Sequence, residues 1–203
     1  VTALAVHLWP GPAPAPQDGL FAILISTATT ALDVAQPAAP SPAAQRDAAR
    51  RAIRLAAREA LAAVLGVPIA DITIASTPGA PPTILLAGRT SIIGCSFSHD
   101  ANYTLAAFNL QGPVGADLMQ VQDIPDWQTV ARDYLGPHIA AALQTAADQP
   151  HAFTQAWTQR EAALKCHAQQ ISEWQADLPG RSIPLALPVT GLLGHIHIGD
   201  RSA

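Results

Sequence analysis

The stretch from Ala43 to Leu65 leaves a folding chain little choice. It is built mostly from alanine, leucine and arginine, all strong helix formers. Ser41-Pro42 ahead of it offers a capping hydroxyl and a proline at the first helical position. Gly66 and Pro68 stop it. Ile53, Leu55, Leu61, Val64 and Leu65 supply the apolar positions, so the segment predicts one long helix laid against a sheet. Arg46, Arg50, Arg51, Arg54 and Arg58 fall in the same stretch. They read either as a solvated helix face or as a grip on a small anionic ligand.

Strand-like segments flank this helix on both sides. Ala3–Leu8 and Leu20–Thr27 precede it, separated by the proline-rich stretch Pro10–Gln17, which cannot join a sheet ladder. A second Pro/Ala-rich loop spans Gln36–Pro42. After the helix come Asp71–Ala75 and Thr83–Ala87, then Ser91–Phe97 and Tyr103–Leu110 bracketing a polar connection, Ser98–Asn102. Gly112-Pro113 breaks the chain. Beyond it, Val114–Val121 alternates as a strand, and Trp127–Leu135 and His138–Ala147 read as short helices split at Gly136-Pro137. A long helix is expected from Pro150 to about Trp174. Ile183–Val189 and Leu192–Ile198 then form a hairpin around Thr190-Gly191.

The element order after Gly112-Pro113 loosely repeats the order before it. This predicts an α+β fold of two similar lobes, 1–112 and 113–203, with a crevice between them. With 203 residues, 49% of them apolar, the chain can bury a real core.

The net charge of −4, with acids and bases dispersed, argues against a nucleic-acid surface. Gly19–Leu32 is too short and too interrupted to span a bilayer, and Val1–Trp9 lacks the basic start of a signal peptide. Cys95 and Cys166 fit no metal spacing and read as structural thiols of a reduced, cytoplasmic protein.

Only 13% of the residues are charged, so a charge set among apolar neighbours needs a reason. Asp117 lies mid-strand in Val114-Gly115-Ala116-Asp117-Leu118-Met119, where aspartate is disfavoured and costly unless paired or metal-bound. Gly115 on the same face would leave room for a ligand. On the predicted long helix, Phe153, Trp157, Glu161 and Lys165 recur every four residues, along one slowly drifting face. Glu161 and Lys165 alone would pass for a surface pair, but Trp157 one turn earlier argues against full exposure. A strand aspartate and a helix glutamate make a fair Mg²⁺ pair, with water and phosphate oxygens completing the shell. Ser98-His99 is no nucleophile–base pair, because adjacent side chains diverge. Both can donate to phosphate oxygens.

Taken together, Ser96-Phe97-Ser98-His99, then Gly115-Ala116-Asp117, then Phe153-x-x-x-Trp157-x-x-Arg160-Glu161-x-x-x-Lys165 resemble the 4′-phosphopantetheinyl transferases of the larger, surfactin-synthetase-activating (Sfp) type. The resemblance covers roughly Arg46 to Lys165. It implies a pseudo-twofold monomer of two lobes, each a small, mostly antiparallel sheet on a long helix, with coenzyme A between them. It implies transfer of phosphopantetheine to a serine of an apo acyl or peptidyl carrier protein, releasing 3′,5′-ADP, in fatty-acid, polyketide or nonribosomal peptide synthesis. Asp117 and Glu161 would hold Mg²⁺, or Mn²⁺, on the diphosphate. Glu161 would take the serine proton, Lys165 and His99 would bind diphosphate oxygens, and Ser98 would contact the coenzyme. Arg46, with Arg50 second, would meet the 3′-phosphate.

The chain departs from that pattern in three places. Met119 stands where a third acid is usual, and a thioether is a poor Mg²⁺ ligand. Ala80, in Gly79-Ala80-Pro81, replaces a usual lysine. The Pro/Ala-rich stretch before Arg46 lacks the usual charged residues. These departures open a second reading, a degenerate homologue that binds coenzyme A or a carrier protein without chemistry. A third reading takes His195 and His197, two apart on one strand face, as Zn²⁺ ligands.

Overall fold

The computed structural model describes residues 2–27, 41–100 and 102–199. Most of the loop expected over 36–42 lies outside them. The strands are β1 (Leu4–Leu8), β2 (Leu20–Ser26), β3 (Ile72–Ala75), β4 (Thr83–Leu86), β5 (Arg89–Asp100), β6 (Tyr103–Asn109), β7 (Gly115–Gln120), β8 (Arg181–Ala186) and β9 (Leu192–Ile198). The α-helices are α1 (Pro42–Leu65), α2 (Trp127–Val130), α3 (Pro137–Gln144) and α4 (Gln149–Cys166), with a π-helical turn at Ala131–Leu135 joining α2 to α3. The fold is mixed α+β. The hydrogen-bonded strands run in the order β3-β4-β5-β6-β2-β1-β8-β9-β7. β1 pairs parallel with β2 and β8, and the other pairings are antiparallel.

Side-chain alternation along β2 explains the layering. Phe21, Ile23 and Ile25 face α1 and meet Ile53, Ala57, Ala60 and Leu61. Alanines on α1 let the helix lie close to the sheet, and Phe21 stacks on Phe108 of β6 at 4.6 Å. Leu20, Ala22 and Leu24 face the other way, into a second core with Val114 just before β7, Ala116 and Leu118 of β7, and Ile196 of β9. Both faces of β2 are therefore covered, as its unbroken apolar sequence requires. α4 covers the outer face of β7 and β9.

α1 starts and stops where its sequence signals put it. The Ser41 hydroxyl accepts from the Ala44 N–H at 3.2 Å, and Gly66 closes the helix in a left-handed conformation. Three expectations need correction. β5 continues through Ser98 and His99 to Asp100, so these residues are strand and not connection. α4 ends at Cys166 and not near Trp174. Ala168 takes a left-handed backbone (φ 54°), and the chain returns to place the Trp174 ring on Gly136, where a side chain would collide with it. The Trp174 N–H donates to Asp133 O at 2.7 Å, a tertiary bond that a continued helix could not make. Gly115, finally, makes room for α4 and not for a ligand. A Cβ there would overlap Ala162 O and Cys166 N and lie 3.0 Å from Cys166 Cα.

Candidate active site

β7 is the end strand of the sheet, and the N–H groups on its outer side need partners. β5 supplies them from side chains. Ser96 Oγ accepts from Ala116 N at 2.9 Å, Ser98 Oγ from Leu118 N at 3.3 Å, and Asp100 Oδ2 from Gln120 N at 2.5 Å. Alternate residues of one strand thus satisfy alternate N–H groups of the other. The β7 edge is held against β5, and no backbone ladder joins them.

Asp117 sits in the middle of this arrangement, 8% exposed. Its Oδ1 accepts from Ser98 Oγ at 2.7 Å and from Lys165 Nζ at 2.7 Å. Lys165 also donates to Ala116 O at 3.2 Å. Two of its three N–H donors go to β7, so Glu161 and Lys165 do not form a simple surface pair. Close approach of α4 at Gly115 is what lets Lys165 reach the strand.

Glu161, one turn before Lys165, is half-buried. Burial holds its carboxyl above the usual range, and the nearby Asp117 charge adds to the effect, while Lys165 and Arg160 oppose it. Two carboxylates near each other at a half-buried contact suit a shared cation or a proton acceptor. Asp117 Oδ2 accepts no hydrogen bond from a described residue. The free oxygen atoms are hard donors and fit a divalent ion of the Mg²⁺ or Mn²⁺ kind. Met119, partly buried on β7, adds no such oxygen.

The aromatic members of the helix motif have a different task. Phe153 is buried against Ala131, Leu135 and Leu143. Trp157 stacks on Phe153 at 5.9 Å and meets Tyr134 edge-on at 6.3 Å. They anchor α4 on the short helices and so fix the turn that carries Glu161 and Lys165.

Ser98 and His99 point to opposite faces of β5. Ser98 turns to β7, whereas exposed His99 stands on the α1 side, beside Phe97 and opposite Thr104 of β6. A cleft of about 580 Å³ lies there between α1 and the β5–β6 hairpin. Arg46, Arg50, Ser98, His99, Phe97 and Tyr103 are among its lining residues. The structure therefore gathers the expected residues into two groups. Asp117, Lys165 and Glu161 lie at the β7–α4 contact, Arg46, Arg50 and His99 lie along the cleft, and Ser98 belongs to both.

The helix arginines also divide. Arg54 donates to Ile74 O at 3.3 Å and Ser76 Oγ at 2.5 Å, and Arg58 to Ile72 O at 2.8 Å and Ile69 O at 3.1 Å. These two fasten α1 to β3 and its approach. Arg46 and Arg50 are exposed, and Arg50 makes only a solvent-facing pair with Asp47 at 3.5 Å. Ala80 lines a smaller cleft of about 290 Å³ together with Ser96, Phe97 and Lys165. The loop that departs from the resemblance thus lies beside the lysine.

His195 and His197 do share the α4 side of β9, yet their ring nitrogens have other work. Thr158 Oγ1 on α4 lies 2.9 Å from Thr154 O and 2.8 Å from His195 Nδ1, so that ring nitrogen is hydrogen-bonded to the helix. Burial lowers the His195 pKa to about 4 and keeps the ring neutral. His197 lies 2.8 Å from Ser182 Oγ through Nδ1 and 3.0 Å from Pro179 O through Nε2. Among the described residues, no three His, Cys, Asp or Glu side chains could hold a metal together.

Both cysteine thiols are buried and free, and burial pushes their pKa values up. No described helix is long and apolar enough to cross a membrane.

Sequence reading did not find the roles of Ser96 and Asp100. Their signal was the alternation of small polar residues, Ser96-x-Ser98-x-Asp100, on a strand that otherwise reads as core.

No curated protein matches the chain. Residues 113–182, which carry Asp117, Glu161 and Lys165, match the family model of the 4′-phosphopantetheinyl transferase superfamily (ACPS).

Proposed function

We propose that this protein is a 4′-phosphopantetheinyl transferase of the larger Sfp-type group. It moves the phosphopantetheine arm from coenzyme A to a serine of an apo acyl or peptidyl carrier protein. The observation that carries the reading is the meeting of Asp117, Lys165 and Glu161 at the β7–α4 contact, inside the matched span and close to a cleft edged with cations. In this reading the chain is a cytoplasmic monomer of two related lobes, 1–112 and 113–203, with coenzyme A between them.

Asp117 and Glu161 are the residues that hold Mg²⁺ or Mn²⁺, which supplies charge neutralisation at the diphosphate. The rest of the chemistry falls to side chains. Arg46 and Arg50 bind the coenzyme's 3′-phosphate at the cleft rim. His99 and Lys165 donate to diphosphate oxygens, and Ser98 lies where the coenzyme enters. Glu161, its carboxyl held above the usual range by burial, accepts the proton of the carrier serine. The serine oxygen–phosphorus bond forms as the bond to 3′,5′-ADP breaks, and Lys165 offsets the charge left on that product. Transfer of this kind asks a protein mainly for position and compensating charge.

The test is to incubate the protein with Mg²⁺, coenzyme A and a panel of apo carrier proteins, and then weigh the carriers. Gain of one phosphopantetheine mass on a carrier is the expected result. No gain on any carrier, with a known transferase active in parallel, overturns the reading. The second reading, a homologue that binds coenzyme A or a carrier without chemistry, draws on Met119 and on Ala80 beside Lys165. It predicts no transfer by the unaltered chain and transfer gained in Met119→Glu.

A further inference from the structure

Asp117 has two carboxylate oxygens in different situations. Oδ1 receives Ser98 Oγ and Lys165 Nζ, each at 2.7 Å, and Oδ2 receives nothing from a described residue. The Ser98 hydroxyl is itself oriented. Its oxygen accepts the Leu118 N–H at 3.3 Å, so its single proton is left for Asp117. Ser98 is 5% exposed. A buried hydroxyl held by the backbone on one side and by a carboxylate on the other has little freedom to turn toward a ligand.

We infer that Ser98 is a positioning residue for Asp117, fixing the rotation of its carboxylate so that Oδ2 alone is presented to a divalent ion. The inference rests on the proposed metal-dependent transferase and assigns Ser98 a role other than holding coenzyme. Lys165 cannot do this alone, because it also serves Ala116 O on a flexible stem. The hydroxyl from β5 supplies a second, rigid constraint from the opposite strand. Hydrogen bonds that orient metal ligands are commonly worth ten- to a hundredfold in metal affinity.

Ser96 provides the control. It accepts the Ala116 N–H at 2.9 Å, the same kind of strand-to-strand bond, and no hydrogen bond joins it to Asp117. The experiment measures Mn²⁺ binding to the full chain by electron paramagnetic resonance, with coenzyme A present, in the wild type, Ser98→Ala, Ser98→Cys and Ser96→Ala. The expected result is affinity about tenfold or more weaker in Ser98→Ala. Ser98→Cys, with its weak donor, falls in between, and Ser96→Ala stays within about twofold of wild type. Should Ser98→Ala fail to fold, the near-isosteric Ser98→Cys carries the comparison alone.

Wild-type affinity in the Ser98 variants, or an equal loss in Ser96→Ala, overturns this assignment and leaves the transferase reading standing. A wild-type chain that binds no Mn²⁺ overturns the metal reading and the assignment with it.

Discussion

Lys165 Nζ donates to Asp117 Oδ1 across 2.7 Å, joining the last turn of α4 to the middle of β7. The pair is mostly shielded from water, with Asp117 the more buried partner, so removing one member leaves a charge without compensation. Lys165→Met should cost about 2 kcal/mol in urea unfolding at neutral pH. Adding Asp117→Asn should recover part of that loss. Additive losses would show that the two side chains do not interact.

Glu161→Gln and Asp117→Asn should each lower transfer by at least about 100-fold, since each removes a charged oxygen from the site. Circular dichroism should remain unchanged. Carrier mass gain at near-wild-type rate in either variant would remove that residue from its proposed role.

His195 gives the protein an acid-sensitive element. Its folded pKa of about 4 lies below the unfolded value of roughly 6.5, so the unfolded chain binds the extra proton. The stabilisation is complete above the unfolded pKa and is lost as pH falls through this window, by up to about 3 kcal/mol. Thr158 on α4 and Asp117 across β7 face the ring. Thermal melts from pH 7 to pH 4 should therefore fall more steeply for the wild type than for His195→Asn, which keeps a hydrogen-bonding group near Thr158. Parallel curves would count against a buried neutral imidazole.

Gly115→Ala should be among the most damaging single changes in the chain. The added methyl meets the backbone of α4 at Ala162 and Cys166, which cannot yield as a flexible side chain can. A loss of about 3 kcal/mol or failure to fold is expected. Gly191→Ala, at φ 77° but with open space around it, should cost only about 1 kcal/mol. Equal effects in denaturant melts would show that α4 does not approach β7 this closely.

The arginines of α1 should separate by experiment as they do in space. Arg54→Ala and Arg58→Ala should each destabilise the fold by about 1–2 kcal/mol, because they release bonds to the β3 segment. Arg46→Ala should leave the melting temperature unchanged and weaken coenzyme A binding in calorimetry. Unaltered coenzyme affinity would take Arg46 out of the proposed 3′-phosphate site.

What could be read in the sequence was local. The start of α1 at Ser41-Pro42 and its end at Gly66 follow from groups within one turn of each terminus, so no distant residue is needed to place them. β2 and β7 were legible from apolar runs and alternation. Asp117, Glu161 and Lys165 stood out because charge is scarce in this chain and theirs falls among apolar or aromatic neighbours.

Tertiary structure decided the rest. Ser98 and His99 look like loop residues because polar side chains in a core strand are costly. They are strand residues because β7 offers N–H groups to one face and a cleft opens on the other. The end of α4 likewise depended on Trp174 finding Gly136, well apart in sequence. The sequence by itself determined which residue types were available for chemistry and on which elements most of them ride. Only the folded chain decided that Lys165 serves Asp117, that Gly115 admits a helix and not a ligand, and that Ser98 closes on a carboxylate. Each of these depends on a contact between segments distant along the chain, where hydrogen bonding and close packing override local preference.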